Sequence, residues 1–262
     1  MALHHVRRGS GEPLLLIQGM SGHAAHWGEP FMAGIEPHFD AIAIDHRSTG
    51  NSPRVDGPFT LGDLAEDAIG KLDELGIETA HVMGISMGGM VAQELVLRHP
   101  DRVRTLVLGC TYAGGAGQKL TDPEVAQILA EGMQSGDREA AMRAAWKVNV
   151  SEPFAADEGN WDTFYAVATE NPVPVEVIMR QMQAIMGHDT SAGLSSIEAP
   201  TLVIHGTADR MLPASNGEAI AKVIPGARYE PLEGVGHMVW VEEPQRSAEL
   251  VREHCLAAST AP

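Results

Sequence analysis

The first 110 residues alternate short apolar runs with longer segments of helical periodicity. The apolar runs are residues 13–17, 41–44, 80–83 and 103–109. They lack the polar alternation of a half-exposed strand, which is typical of strands buried on both faces. Between them, residues 61–75 place apolar side chains on one helical face, and Thr60 with Asp63 forms a capping-box pattern at its start. The acidic residues of this helix, Asp67 among them, are expected to face solvent. The pattern predicts a mostly parallel sheet with helices on both faces.

The pattern changes after residue 113. Residues 114–196 carry helical periodicity without a convincing strand, and strand patterns resume at 201–205 and 228–232. The chain length of 262 residues suits one large α/β domain. The predicted organisation is therefore an α/β core formed by residues 1–113 and 197–262, with a helical cap (lid) inserted at 114–196.

The charge balance narrows the range of partners. Eighteen basic and thirty-five acidic residues give a net charge of −17, whereas nucleic acids and anionic membranes bind through Lys and Arg. No stretch approaches the ~20 apolar residues of a membrane span, and the N-terminus lacks the apolar core of a signal peptide. We expect a cytoplasmic monomer or homodimer that binds neither nucleic acid nor membrane. Cys110 and Cys255 are expected to be reduced structural thiols.

Three polar residues follow predicted strands, at the edge where open parallel sheets bind ligands. Ser86 lies between Gly84 and Gly88 on a strand-to-helix turn, Asp209 follows the strand at 201–205, and His237 follows the last strand. A serine hydroxyl becomes a good nucleophile when an imidazole accepts its proton and a carboxylate orients that imidazole. Ser86, Asp209 and His237 are therefore the candidate catalytic residues.

Several segments in a fixed order carry a resemblance to a known family. They are Leu-Leu-Leu-Ile-Gln-Gly at 14–19, Asp-His-Arg-Ser-Thr-Gly-Asn-Ser at 45–52, Gly-Ile-Ser-Met-Gly-Gly at 84–89, His-Gly-Thr-Ala-Asp at 205–209, and Gly-His at 236–237. Over nearly its whole length the chain resembles the α/β-hydrolase superfamily, in its serine hydrolase branch. The resemblance implies Ser86 as nucleophile, Asp209 as orienting acid and His237 as general base. It argues against dehalogenases and epoxide hydrolases, which use a carboxylate nucleophile.

The resemblance also implies an oxyanion hole formed by the backbone amides of Met20 and Met87. Gln18-Gly19 stands where many relatives have His-Gly, a departure that concerns the support of this loop. The candidate pocket residues are Gly19, His23, Met142, Met182, Met211 and Met238. Methionine fills irregular space, so it suits an adaptable apolar lining. His23 and His26 form an H-x-x-H pair without acidic partners, and no metal or other cofactor is expected.

One acidic residue competes with Asp209 for the role of orienting acid. Asp45 also follows a predicted strand, but the segment Asp45-His46-Arg47 matches a structural turn of the family. This context favours Asp209.

The expected activity is hydrolysis of a small carboxylic ester or lactone through an acyl-serine intermediate. The segment Phe59-Thr60-Leu61, together with the Ser86 turn, looks most like the 3-oxoadipate enol-lactonase branch, although other esterases share it. Three alternatives stay open. They are a C–C bond hydrolase of ring-cleavage products, a cofactor-free perhydrolase, and a small-molecule binding module with little turnover.

Overall fold

A seven-stranded sheet forms the centre of the computed structural model, which describes residues 1–116, 118–119 and 121–259. The strands are β1 (His5–Gly9), β2 (Glu12–Ile17), β3 (Phe39–Ile44), β4 (Ala80–Ile85), β5 (Val103–Gly109), β6 (Thr201–Gly206) and β7 (Arg228–Leu232). Their order is β1-β3-β2-β4-β5-β6-β7. Neighbouring strands run parallel, except that β1 is antiparallel to β3. The predicted mostly parallel sheet is confirmed.

Helices cover both faces of this sheet. Within the described residues they are α1 (Glu29–Ile35), α2 (Leu61–Glu74), α3 (Met87–Arg98), α4 (Pro123–Gln134), α5 (Arg138–Asn149), α6 (Glu152–Ala155), α7 (Glu158–Glu170), α8 (Val175–Met186), α9 (Ser215–Val223), α10 (Val239–Glu242) and α11 (Pro244–Ser259). Successive side chains of a strand point to opposite faces. Leu15 and Ile17 of β2 accordingly pack with α2 and α3, while Leu14 and Leu16 pack with α1 and α11.

The start of α2 has the predicted capping box. Thr60 Oγ1 accepts a hydrogen bond from Asp63 N at 3.1 Å, and Asp63 Oδ2 accepts one from Thr60 N at 2.8 Å. The expectation that Asp67 faces solvent is wrong, since this residue is only 5% exposed. Arg47, in the loop after β3, reaches over the helix and places Nε 2.6 Å from Asp67 Oδ2. A buried carboxylate of this kind is tolerated because it is paired.

Helices α4 to α8 lie between β5 and β6 in the chain, where the sequence predicts helices. We call residues 114–196 the helical insertion. Its Trp146 ring stacks on Phe164 at 4.9 Å, and Trp146 and Trp161 are buried in the same core as α1 and α11. Gly117 and Leu120 of the insertion, and residues 260–262 of the predicted core, lie outside the described residues. No helix of the described part is long and apolar enough to span a bilayer.

Gly88, in the first turn of α3, lets this helix lie directly against β2. A Cβ at Gly88 would overlap the carbonyl oxygens of Ile17 and Gln18. We therefore expect Gly88→Ala to lower the free energy of unfolding by about 2–3 kcal/mol in urea titrations. Gly70→Ala, in α2, is the matched control because its Cβ would meet only Met1 N, at 3.9 Å. This control should raise the free energy of unfolding by about 0.5–1 kcal/mol. Equal shifts in the two variants would contradict the steric argument.

Candidate active site

Ser86 occupies a sharp turn between β4 and α3. Its backbone has φ 52° and ψ −122°, a conformation that is strained for a residue with a side chain. Gly84 permits the turn because a Cβ there would overlap the Gly88 carbonyl group. Ser86 N donates to Gly109 O at 2.8 Å, and Ser86 O accepts from Thr111 Oγ1 at 2.8 Å. The turn thus holds a partly exposed serine at the carboxyl edge of the sheet.

Asp209 and His237 meet in the loops that follow β6 and β7. His237 Nδ1 lies 2.7 Å from Asp209 Oδ2, and both side chains are buried. Asp209 Oδ1 accepts from the amides of Met211 at 2.8 Å and Leu212 at 2.9 Å. Because an ionised carboxylate only accepts hydrogen bonds, Nδ1 carries the proton. In the neutral ring with this tautomer, the other nitrogen, Nε2, has a lone pair that can accept a proton.

The charge of Asp209 is stabilised by two histidines. Burial alone would raise the pKa of Asp209, but His237 and the hydrogen bonds from His205 and His237 outweigh burial and lower this pKa to about 2. His205 Nε2 lies 3.1 Å from Asp209 Oδ2 and 2.9 Å from Leu212 O. Since a carbonyl oxygen only accepts, His205 Nε2 is a donor. The sequence reasoning assigned no role to His205, although it opens the segment that ends at Asp209.

The end of β5 brings Ser86 and the Asp209–His237 pair to one place. Gly109 O accepts from Ser86 N, and the next residue, Cys110, has its sulfur within 4.8 Å of ligand atoms of Asp209 and His237. Within the described residues, Ser86 Oγ forms no hydrogen bond, so none joins it to His237 in this structure. Hydrogen bonds of this type are often long in unliganded sites and tighten when substrate binds.

Cys110, Asp209 and His237 are also spaced closely enough to share a metal ion. A cysteine binds a metal ion as its thiolate. Burial disfavours this form at Cys110, because it raises the pKa of the thiol well above its usual value. Asp209 and His237 already bond each other, so this donor set fits a metal poorly. Cys110 and Cys255 are both buried, and Thr105 Oγ1 donates to Cys255 Sγ at 3.3 Å. That both thiols are reduced stays a prediction.

The two segments predicted to supply the oxyanion hole lie next to Ser86, one in sequence and one in space. Met87 begins α3, so its amide has no acceptor within the helix. Gly19 lies against the serine, since a Cβ at Gly19 would be 3.1 Å from Ser86 Cβ and 3.6 Å from Oγ. Met20 follows Gly19 in the chain. Neither the Met20 amide nor the Met87 amide donates to an acceptor in the described part of the chain, and their role as an oxyanion hole stays a prediction.

The loop that carries Met20 is held from three sides. Gln18 Oε1 accepts from Gly19 N at 3.3 Å, and His46 Nε2 donates to Gln18 O at 2.8 Å. On the side of the insertion, Gln181 Oε1 accepts from Ser21 N at 2.9 Å. Gln18 thus supports this loop in place of the histidine of many relatives. Gln181 is a contact that the sequence reasoning missed.

The candidate pocket residues lie in different environments. Met182 is 39% exposed, because α8 turns Gln181 inward and Met182 outward. Met142 is half-buried against the core that contains Trp146. Met211 and Met238 adjoin Asp209 and His237, respectively, in structure and in sequence. Their contact with substrate stays a prediction.

His23 is buried behind the Met20 loop. Its ring meets His26 edge to face, with centroids 4.2 Å apart, and its Nε2 has no hydrogen-bond partner among the described residues. Burial and the neighbouring His23 lower the pKa of His26 to about 3, so His26 is neutral at physiological pH. His26 Nδ1 therefore accepts from His23 N, at 3.2 Å.

Asp45, the alternative acid, organises a different part of the chain. Its carboxylate accepts from Ala24 N at 2.7 Å and Asn51 N at 2.9 Å, and lies 2.8 Å from His4 Nδ1. These contacts join the loops after β2 and β3. The carboxylate that contacts His237 is Asp209.

Comparison with known proteins agrees with this geometry. The family model described as alpha/beta hydrolase fold matches residues 12–244. The chain belongs to this family. This chain is similar to RutD of Azorhizobium caulinodans, which is named as a proposed carbamate hydrolase. The two are 28% identical over 255 residues, which cover 97% of this chain and 94% of RutD.

Two further relatives of this chain are named as an esterase or a lactonase. Rhodomycin D methylesterase DnrP of Streptomyces peucetius is 29% identical over 287 residues, covering 94% of this chain and 92% of DnrP. The structure of the enol-lactonase from Burkholderia xenovorans LB400 superposes with a TM-score of 0.83 at 26% identity, covering 97% of this chain and 96% of that chain. The predicted superfamily and its esterase or lactonase likeness are confirmed.

Proposed function

We propose that this protein hydrolyses a carboxylic ester or lactone through an acyl-serine intermediate. The observation that carries the proposal is the Asp209–His237 hydrogen bond of 2.7 Å. It leaves His237 Nε2 as a proton acceptor at the sheet edge where Ser86 is exposed. This combination is what nucleophilic catalysis by serine requires.

The proposed reaction has two halves that share one general base. Ser86 Oγ attacks the acyl carbonyl carbon while His237 Nε2 accepts the hydroxyl proton, and Asp209 stabilises the imidazolium. The amides of Met20 and Met87 donate to the oxyanion of the tetrahedral intermediate. This intermediate collapses: the bond between the acyl carbon and the leaving oxygen breaks, and the His237 imidazolium gives its proton to that oxygen, which becomes the alcohol. Water then attacks the acyl carbon while His237 accepts a proton from it, and His237 returns this proton to Ser86 Oγ as the acid is released.

The relatives support this class of substrate by what their names share. A methyl ester, an enol lactone and a carbamate each contain a carbonyl carbon bonded to an oxygen or nitrogen leaving group. Carbamate hydrolysis is therefore the second candidate, favoured by the similarity to RutD over nearly the whole chain.

A substrate panel combined with covalent labelling tests the proposal. The panel contains p-nitrophenyl butyrate, an enol lactone, an alkyl carbamate, and a vinylogous diketone that reports C–C cleavage. We expect the ester and lactone to give the highest kcat/KM. One fluorophosphonate should attach to the peptide containing Ser86 and abolish turnover in proportion to labelling. Full turnover by labelled protein would contradict an acyl-serine mechanism. Thermal stabilisation by these compounds without turnover would indicate a binding module instead.

A further inference from the structure

The loop that carries His237 is joined to the helical insertion directly on one side of the histidine and through the Glu242 side chain on the other. We call residues 233–238, between β7 and α10, the His237 loop. Met238 N donates directly to Asn149 O, at 3.1 Å, at the end of α5. Gly236 N donates to Glu242 Oε1 at 2.8 Å. The insertion and the His237 loop are therefore joined at the two residues that flank His237.

Glu242 is the link on the Gly236 side. Its carboxylate also accepts from Ser151 N, with both oxygens at 3.1 Å, and from Ser151 Oγ. Three donors from two separate parts of the chain thus converge on one half-buried carboxylate. Burial raises the pKa of Glu242, which measures the cost of desolvating this charge, and the hydrogen bonds from Ser151 and Gly236 offset part of it.

Hydrogen bonds and apolar packing both act at this junction, where Val150 of the insertion and Val235 and Met238 of the His237 loop are buried in one core. A Cβ at Gly236 would lie 2.7 Å from Val150 C and 2.8 Å from both Ser151 N and Glu242 Oε1, so glycine is needed for this approach. Beside the contact lies a cavity of about 380 Å³. It is lined by Ser151, Phe154, Asp157, Glu233, Glu242 and Glu243, among others. The polar contacts of the junction are those of Glu242 and the Met238–Asn149 hydrogen bond.

We propose that Glu242 is a positioning residue that holds His237 in place and makes its position depend on the helical insertion. The inference rests on the proposed function, in which His237 is the general base. Without the carboxylate, Gly236 N and Ser151 N lose their acceptor and the His237 loop moves away from the insertion. A displacement of ~1 Å at a catalytic group can lower the rate by about 10²-fold. Among the described residues, the Glu242 carboxylate forms no hydrogen bond with Ser86 or the Met20 loop, so we expect KM to change little.

The test compares Glu242→Ala with Glu243→Ala, its exposed neighbour, using p-nitrophenyl butyrate. We expect Glu242→Ala to lower kcat by about 10²-fold with KM within about threefold, and Glu243→Ala to leave both unchanged. Glu242→Gln should recover most of the loss, because its amide oxygen accepts from Gly236 N while its NH₂ group donates to Ser151 Oγ. In a His237→Ala background, Glu242→Ala should cause no further loss, since both changes act through one side chain.

The outcomes separate this inference from the proposed function. A full loss from Glu242→Ala in the His237→Ala background, or a rise in KM without a fall in kcat, would overturn the positioning role. If Glu242→Ala does not fold, Ser151→Ala replaces it, with an expected kcat loss of about 3–10-fold that disappears in the His237→Ala background. Unchanged turnover in the His237→Ala single variant would instead refute the proposed function itself.

Discussion

Ser86→Ala is expected to lower kcat for p-nitrophenyl butyrate by about 10⁶-fold, the largest effect of any single side chain in this protein. In the proposed reaction Ser86 Oγ forms the bond to the acyl carbon, and alanine offers no atom that can replace it. The Met20 and Met87 amides stay in place, so a residual rate above that of water is expected. KM should change little, because the hydroxyl contributes to bond formation more than to ground-state binding.

Measuring the stability of Ser86→Ala shows whether its loss of activity comes from the missing hydroxyl or from unfolding. Ser86 Oγ has no hydrogen bond within the described residues, and alanine adopts the same strained backbone at equal cost. The free energy of unfolding should therefore stay within about 0.5 kcal/mol of the wild type. Steady-state kinetics and urea titration on the same preparation measure both quantities. Ser10→Ala, at an exposed serine, is the control and should change neither. Turnover of Ser86→Ala within tenfold of wild type would place the chemistry elsewhere.

The central strands of this fold are readable from the sequence because they are buried on both faces. The bounds of β5 agree with the predicted run at 103–109. A continuous apolar run ends where the chain leaves the core, so the pattern marks the boundary. Burial of Asp67 was not readable in this way. It depends on Arg47, which is twenty positions away and arrives only when β3 and α2 pack together.

Ser86, Asp209 and His237 could be identified from the sequence because each follows a strand at the same sheet edge. The contacts that support these residues could not be predicted. Gln181 reaches Ser21 across 160 positions, and Glu242 reaches Ser151 across 91. Helical periodicity identifies α8 as amphipathic but does not tell which partner its inner face meets. Such polar contacts carry no local pattern and emerge only from tertiary structure.

Asp209→Asn is expected to lower kcat by about 10⁴-fold while leaving the site geometry largely intact. The asparagine oxygen can accept from the Met211 and Leu212 amides as Oδ1 does now. Its NH₂ group then faces His237 Nδ1 and His205 Nε2, where the carboxylate accepts at present. His237 Nδ1 must accept rather than donate, so the ring proton moves to Nε2. In that tautomer His237 cannot take the proton of Ser86.

Asp45→Asn provides the matched control, because Asp45 is the other buried acid that follows a strand. Its carboxylate accepts from Ala24 N and Asn51 N, and an asparagine can satisfy only one of these donors. Asp45→Asn should therefore lower the free energy of unfolding by about 1–3 kcal/mol, with kcat of the folded protein within a few fold of wild type. Urea titration and kcat per active site, titrated with a fluorophosphonate, separate the two effects. A 10⁴-fold loss of kcat in Asp45→Asn, with none in Asp209→Asn, would show that Asp45 is the orienting acid. The tautomer of His237 would then not depend on its 2.7 Å contact with Asp209.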